Sequence, residues 1–263
     1  MVNRLKSLYD AQGFLTGVPI IKPSEALAHR SILEAVEAER GPMHYQFKAH
    51  TAMHSTYQLA ILPKILNIVE QLIGPDILLY SAAYIVKEAN TKSHVSWHQD
   101  LTYWGLDSDA QVSVWLALSD ASEASGCMHM IPASHKHGQQ KHHNTQDNNN
   151  VLLSGQTIND IDPNQSIAAS LKAGQASFHH GWTIHCSQPN LTNDRRIGLN
   201  IQYISPAVKQ LKQQQDSAML VRGVDHYGHF QTDQPAQSNF DSKAWQKQKA
   251  LDDKLKGIQG NTT

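Results

Sequence analysis

Cysteine is nearly absent from this chain, which carries two in 263 residues, Cys127 and Cys186. Two thiols cannot build a disulfide framework, so small secreted scaffolds are excluded and a reducing, cytoplasmic setting is expected. Charge of one sign is also missing, with 22 Lys and Arg against 23 Asp and Glu. Bulk attraction to nucleic acid or to an anionic membrane is therefore not expected. No stretch approaches the roughly 18 apolar residues of a membrane span. The opening MVNRLKSLYDAQGFLTG lacks the uninterrupted apolar core of a signal peptide. Internal repeats and heptads are absent too. With 40% hydrophobic and 17% charged residues, the length suits one domain over 1–263 with a substantial core.

Histidine is present in excess, at 16 residues. Before the histidine motifs, the periodicity predicts a helix over 3–17 with Gly13 near its end. A second helix, capped by Ser24, runs to the Gly41-Pro42 break, and a third covers 59–73 and stops at Gly74. Then the texture changes to β-branched and aromatic runs. Strands are predicted over 77–87, 95–101, 112–119, 127–132, 175–180 and 197–204. Helices first and strands after imply an α+β chain with a mainly β core at 75–205 under a helical cover at 1–74. Residues 139–150, QQKHHNTQDNNN, have little to bury and read as a mobile loop. Residues 206–263 read as a C-terminal flap and tail, with Arg222 and His226 near the mouth of a site and Phe240 and Trp245 as anchors.

The segment SWHQDLTYWG sets His98 and Asp100 two apart in an expected strand, where alternate side chains share a face. His185, in FHHGWTIHCSQPN, offers a third ligand. Two imidazoles and one carboxylate on one face of an ion leave its other positions open, as Fe(II) needs in order to bind a co-substrate and O2 together. A bare HxD also arises by chance, so this motif alone decides little. Arg196 adds to it. In the strand that follows, Ile197, Leu199 and Ile201 share one face while Arg196, Gly198, Asn200 and Gln202 share the other. A guanidinium on an inward polar face suits the far carboxylate of a dicarboxylate co-substrate. The plain alternative is an exposed Arg195-Arg196 pair beside Asp194.

From Pro75 to Ile204 the chain resembles the phytanoyl-CoA dioxygenase family of Fe(II)/2-oxoglutarate oxygenases. The resemblance is carried by GPDILLYSAAYIVKEA, VSWHQDLTYWGL, VSVWLALSDASEASGCMHMIPASHKHG and LKAGQASFHHGWTIHCSQPNLTNDRRIGLNIQYI. It implies a double-stranded β-helix, or jelly roll, with covering helices and with iron held by His98, Asp100 and His185. It implies Arg196 on the C5 carboxylate of 2-oxoglutarate, with Gln99, Lys87 and Thr192 as secondary co-substrate contacts. Asp100 favours hydroxylation, because halogenating relatives carry a small residue there. The chain departs from the family pattern at Glu88-Ala89-Asn90, which replaces a Pro-Gly pair, and at Ala133, which replaces a glycine.

Lys48, His50, Trp104, His180 and Asn200 are candidates for the primary substrate, a small molecule. A cationic lining from Lys48 and His50 would suit an anionic or zwitterionic metabolite such as an aminoalkylphosphonate. For most of these, packing or solvated-loop roles are the plainer reading, as they are for His94, His129 and His179. A metal-dependent hydrolase and a non-catalytic ligand-binding jelly roll stay open as alternatives. So does oligomeric state, a homodimer included.

Overall fold

A computed structural model of the chain describes residues 2–152, 155–213 and 215–260. The helices are α1 (Val2–Gln12), α2 (Pro23–Arg40), α3 (His54–Ala60), α4 (Pro63–Ile73), α5 (Leu101–Trp104) and α6 (Ser242–Gly260). The strands are β1 (Phe14–Pro19), β2 (Ile77–Lys87), β3 (Val95–His98), β4 (Gln111–Ala117), β5 (Met128–Met130), β6 (His143–Asn144) and β7 (Gln156–Thr157). They continue with β8 (Ile167–Ala169), β9 (Gln175–His179), β10 (His185–Ser187), β11 (Arg196–Ile204), β12 (Ser217–Arg222) and β13 (Gln231–Thr232).

The major sheet has seven strands in the order β1-β9-β4-β11-β2-β12-β13, and the minor sheet has four in the order β3-β10-β5-β8. Apart from the parallel pair β12 and β13, the paired strands run antiparallel. Two antiparallel sheets wound with these crossovers make a double-stranded β-helix, the jelly roll.

Alternation along β11 sets the layers. Ile197, Leu199 and Ile201 face outward, where they join Val114 and Leu116 of β4 and meet Leu33 of α2 and Ile65 of α4 in the main core. Burying each such side chain contributes about 1.5–3 kcal/mol. The other face carries Arg196, Asn200 and Gln202 to a cavity wall. Gly198 lies on that same face, where an added Cβ would fall 1.9 Å from the Trp115 ring. Its lack of a side chain lets the indole lie across the strand, with the Arg196 Cζ 5.0 Å from the ring centroid.

Several expected elements differ. The first helix stops at Gln12, and Phe14–Pro19 is an edge strand on β9 instead of more helix. Gly13 makes the switch at φ 86, in a spot where a Cβ would meet Thr183 Oγ1 at 2.6 Å. The cap of α2 is Lys22, whose N–H donates to Glu25 at 2.8 Å, because Pro23 fills the first helical position and displaces Ser24 from that role. Pro63 likewise starts α4 afresh, so the single helix expected over 59–73 is two. Asp100 lies past the end of β3 with helical dihedrals, φ −57 and ψ −47.

The polar tract at 139–150 is bonded to its surroundings: β6 pairs with β7, and the Gln99 N–H donates to His142 Nε2 at 3.2 Å. The tail holds α6, whose Leu255 and Ile258 pack with Phe47, Tyr80 and Trp104. Arg222 pairs with Glu70 of α4 at 2.6 Å and His226 is exposed, so α6 brings a residue to the cavity where these two do not. Ala133 sits at φ 60, in the left-handed region that favours glycine and costs other residues about 1–2 kcal/mol.

Candidate active site

His98 closes β3 and pairs in register with His185 of β10, so the two imidazoles stand side by side with centroids 4.1 Å apart. Each Nδ1 donates to a backbone carbonyl two residues back, Ser96 for His98 and Thr183 for His185, both at 2.9 Å. The tautomer is thereby fixed and each Nε2 keeps its lone pair for a metal. Asp100 Oδ1 lies 3.6 Å from His98 Nε2 and 3.7 Å from His185 Nε2, too far for hydrogen bonds. The three ligand atoms lie within 4.8 Å of one another, a spacing suited to sharing one ion. Two imidazole nitrogens and one carboxylate oxygen form a donor set that fits Fe(II). Burial opposes ionisation of Asp100, yet the hydrogen bond from His179 holds its carboxyl well below the usual value. Burial likewise keeps His185 neutral, as a ligand must be.

Arg196 lines the same cavity at 1% exposure. Its NH2 reaches Ser187 Oγ at 3.4 Å and its Nε has no partner. No carboxylate pairs with it among the described residues, and burial lowers its pKa to about 10. A buried cation without a counter-ion is costly, and a bound anion removes that cost. The cavity has a volume of about 90 Å³. It is also walled by Tyr45, Phe47, Tyr103, Trp104 and Leu152, with Gln259 from α6.

Of the other expected contacts, Trp104 and Asn200 do line the cavity. Gln99 does not: its side chain joins Gly138 O, Trp182 O and the Gln140 N–H, tying the polar tract to the ligand turn. Lys87 is the register partner of Arg196, but its ammonium is spent on the carbonyls of Ser187 and Gln188. Thr192 bonds within its own turn, to Asn190 Oδ1 at 2.7 Å. Lys48 is locked to Asp233 at 3.0 Å. Burial takes His50 down to about 3 and His180 to about 4, so both rings are neutral and neither lies on the wall.

Sequence reasoning missed Tyr45, Ser113, Trp115 and Gln259, and gave His179 no part in the centre. Ser113 and Trp115 were within reach, because they share a face of β4 by simple alternation. Tyr45 comes from a loop residue at φ 54, and Gln259 from a polar helix whose docking no local pattern announces.

Comparison with known proteins agrees with this geometry. The sequence model of the phytanoyl-CoA dioxygenase family matches residues 22–198, about two thirds of the chain. The chain belongs to that family. Fe(II) and 2-oxoglutarate are the cofactor and co-substrate of this family of oxygenases. Among curated relatives, a probable alpha-ketoglutarate-dependent hypophosphite dioxygenase of Stutzerimonas stutzeri is 27% identical over 171 residues, 64% of this chain and 56% of its own. Human peroxisomal phytanoyl-CoA dioxygenase is 28% identical over 154 residues, 57% of this chain and 46% of its own. The chain thus spans about half the length of these relatives. Among solved structures, the apo form of the non-haem monooxygenase ThoJ superposes with a TM-score of 0.86 at 31% identity, covering 98% of this chain and 100% of that one.

Proposed function

We propose that this family member is an Fe(II)/2-oxoglutarate-dependent dioxygenase that hydroxylates a C–H bond of a small metabolite. The observation that carries this reading is the buried, unpaired guanidinium of Arg196 in the same cavity as His98, Asp100 and His185. A hydrolase built on the same three ligands leaves that cation without a purpose.

His98, Asp100 and His185 hold the iron, which, together with 2-oxoglutarate and O2, supplies the oxidant for hydroxylation. Arg196 receives the far carboxylate of 2-oxoglutarate, with Ser187 beside it and Trp115 across its face. Fixing both ends of the co-substrate sets its orientation before reaction. The aromatic walls and α6 limit water at the centre. Asp100 occupies a ligand position, which favours hydroxylation over halogenation.

For the substrate, the hypophosphite relative supports a phosphorus compound, and an aminoalkylphosphonate is the first candidate to assay. The described cavity wall offers no free cation besides Arg196, which favours a zwitterion over a plain dianion. The two buried free thiols support a cytoplasmic location, and no helix is long and apolar enough to cross a membrane.

The test is substrate-stimulated release of succinate from 2-oxoglutarate, with O2 uptake and Fe(II) dependence. Screening phosphonates, betaines and amino acids should give at least one strong stimulator. Ligand binding with no succinate under any condition favours the non-catalytic alternative, and water addition without O2 uptake favours a hydrolase.

A further inference from the structure

We propose that Ser113 and His179 are positioning residues, a two-point clamp that makes Asp100 a one-oxygen metal ligand. His98 and His185 are set by the ladder of the minor sheet, but Asp100 lies two residues beyond the end of β3 and belongs to no ladder. Side-chain contacts must therefore fix its carboxylate. Two donors do so, and both choose the same oxygen: Ser113 Oγ donates to Asp100 Oδ2 at 2.7 Å and His179 Nε2 donates to it at 3.2 Å.

The donors come from the opposite, major sheet, where Ser113 of β4 and His179 of β9 are register partners. Their pairing aims two N–H or O–H groups at one point across the cavity. With Oδ2 occupied twice, Oδ1 alone turns to His98 and His185. A carboxylate free to rotate can bind an ion through both oxygens and take a position that a co-substrate needs. The clamp prevents this, so three residues supply three donor atoms.

His179 carries a cost that plain packing does not explain. Because its proton sits on Nε2, Nδ1 is an acceptor, and that atom is buried with no partner. The ring is 1% exposed. An apolar side chain of similar size would avoid the penalty of an unmet acceptor.

This inference rests on the metal-centre reading above, and the experiment separates the two. The metal-free chain is titrated with Co(II), reading affinity and the visible ligand-field spectrum, for the unaltered chain and for Ser113→Ala, His179→Leu and His179→Gln. Ser113→Ala and His179→Leu should each bind Co(II) roughly 10- to 100-fold more weakly, the range for loss of a contact to a metal ligand. Their spectra should shift to that of a higher coordination number. His179→Gln, whose amide can donate from near the Nε2 position, should recover most of the affinity and the original spectrum. Ser113→Ala removes a single hydroxyl and keeps the test alive if His179→Leu does not fold. Unchanged affinity and spectrum in the folded variants would overturn the clamp alone. Failure of the unaltered chain to bind one Co(II) would overturn the metal centre, and the clamp with it.

Discussion

Two buried cations, Arg196 and Lys48, are each 1% exposed and yet live in opposite circumstances. Lys48 donates to Ser217 O at 2.5 Å and to Asp233 at 3.0 Å, inside packed protein. Arg196 has a long contact to one hydroxyl, an aromatic face and an open cavity. Neither burial nor charge distinguishes a structural cation from a ligand-binding one. Pairing does. A cation whose counter-ion is built in holds the fold together, and one whose counter-ion is missing is, on the function proposed above, kept for a ligand.

Arg196→Leu should break the comparison most visibly. Affinity for 2-oxoglutarate should fall about 100-fold or more, the scale of losing one partner of a buried charge pair. Its melting temperature should hold or rise, because an unpaired buried charge is removed. Lys48→Met should do the reverse and leave Asp233 buried without its cation. Denaturant unfolding should show a loss of about 3–5 kcal/mol. If Lys48→Met instead lost co-substrate affinity while keeping its stability, the division between the two cations would fail.

Smaller effects sharpen the same division. Gly198→Ala pushes the Trp115 ring away from Arg196, so 2-oxoglutarate binding should weaken roughly tenfold while stability falls by about 1–3 kcal/mol from overpacking. Beside Lys48, buried His50 is lowered from 6.5 to about 3. The folded state thus resists protonation, and the stability this gives is present above pH 6.5 and lost as pH falls toward about 3. His50→Leu should therefore show a shallower fall of melting temperature between pH 6.5 and pH 4 than the unaltered chain.

What the sequence showed follows from how local the information is. Alternation along β11 and the run of β2 were readable, because strand period is a local property. So was the inward turn of Arg196. The reason for pairing His98 with Asp100 was partly wrong: the strand ends at His98 and the carboxylate arrives from a turn. Prolines at 23 and 63 moved helix starts that apolar period alone had blurred. Lys48 and His50 were candidates for the substrate wall, with a solvated loop as the plainer reading, and both are buried in packed protein instead. Asp233, distant in sequence, claims the lysine, a pairing only the fold reveals.

The most direct measurement is anaerobic calorimetry of the Fe(II)-loaded chain against 2-oxoglutarate and against 2-oxovalerate, which keeps the chain length but lacks the far carboxylate. One molar equivalent of 2-oxoglutarate should bind only when metal is present, and 2-oxovalerate should bind at least about 100-fold more weakly. Equal affinity for the two acids, or 2-oxoglutarate binding indifferent to metal, would contradict these expectations.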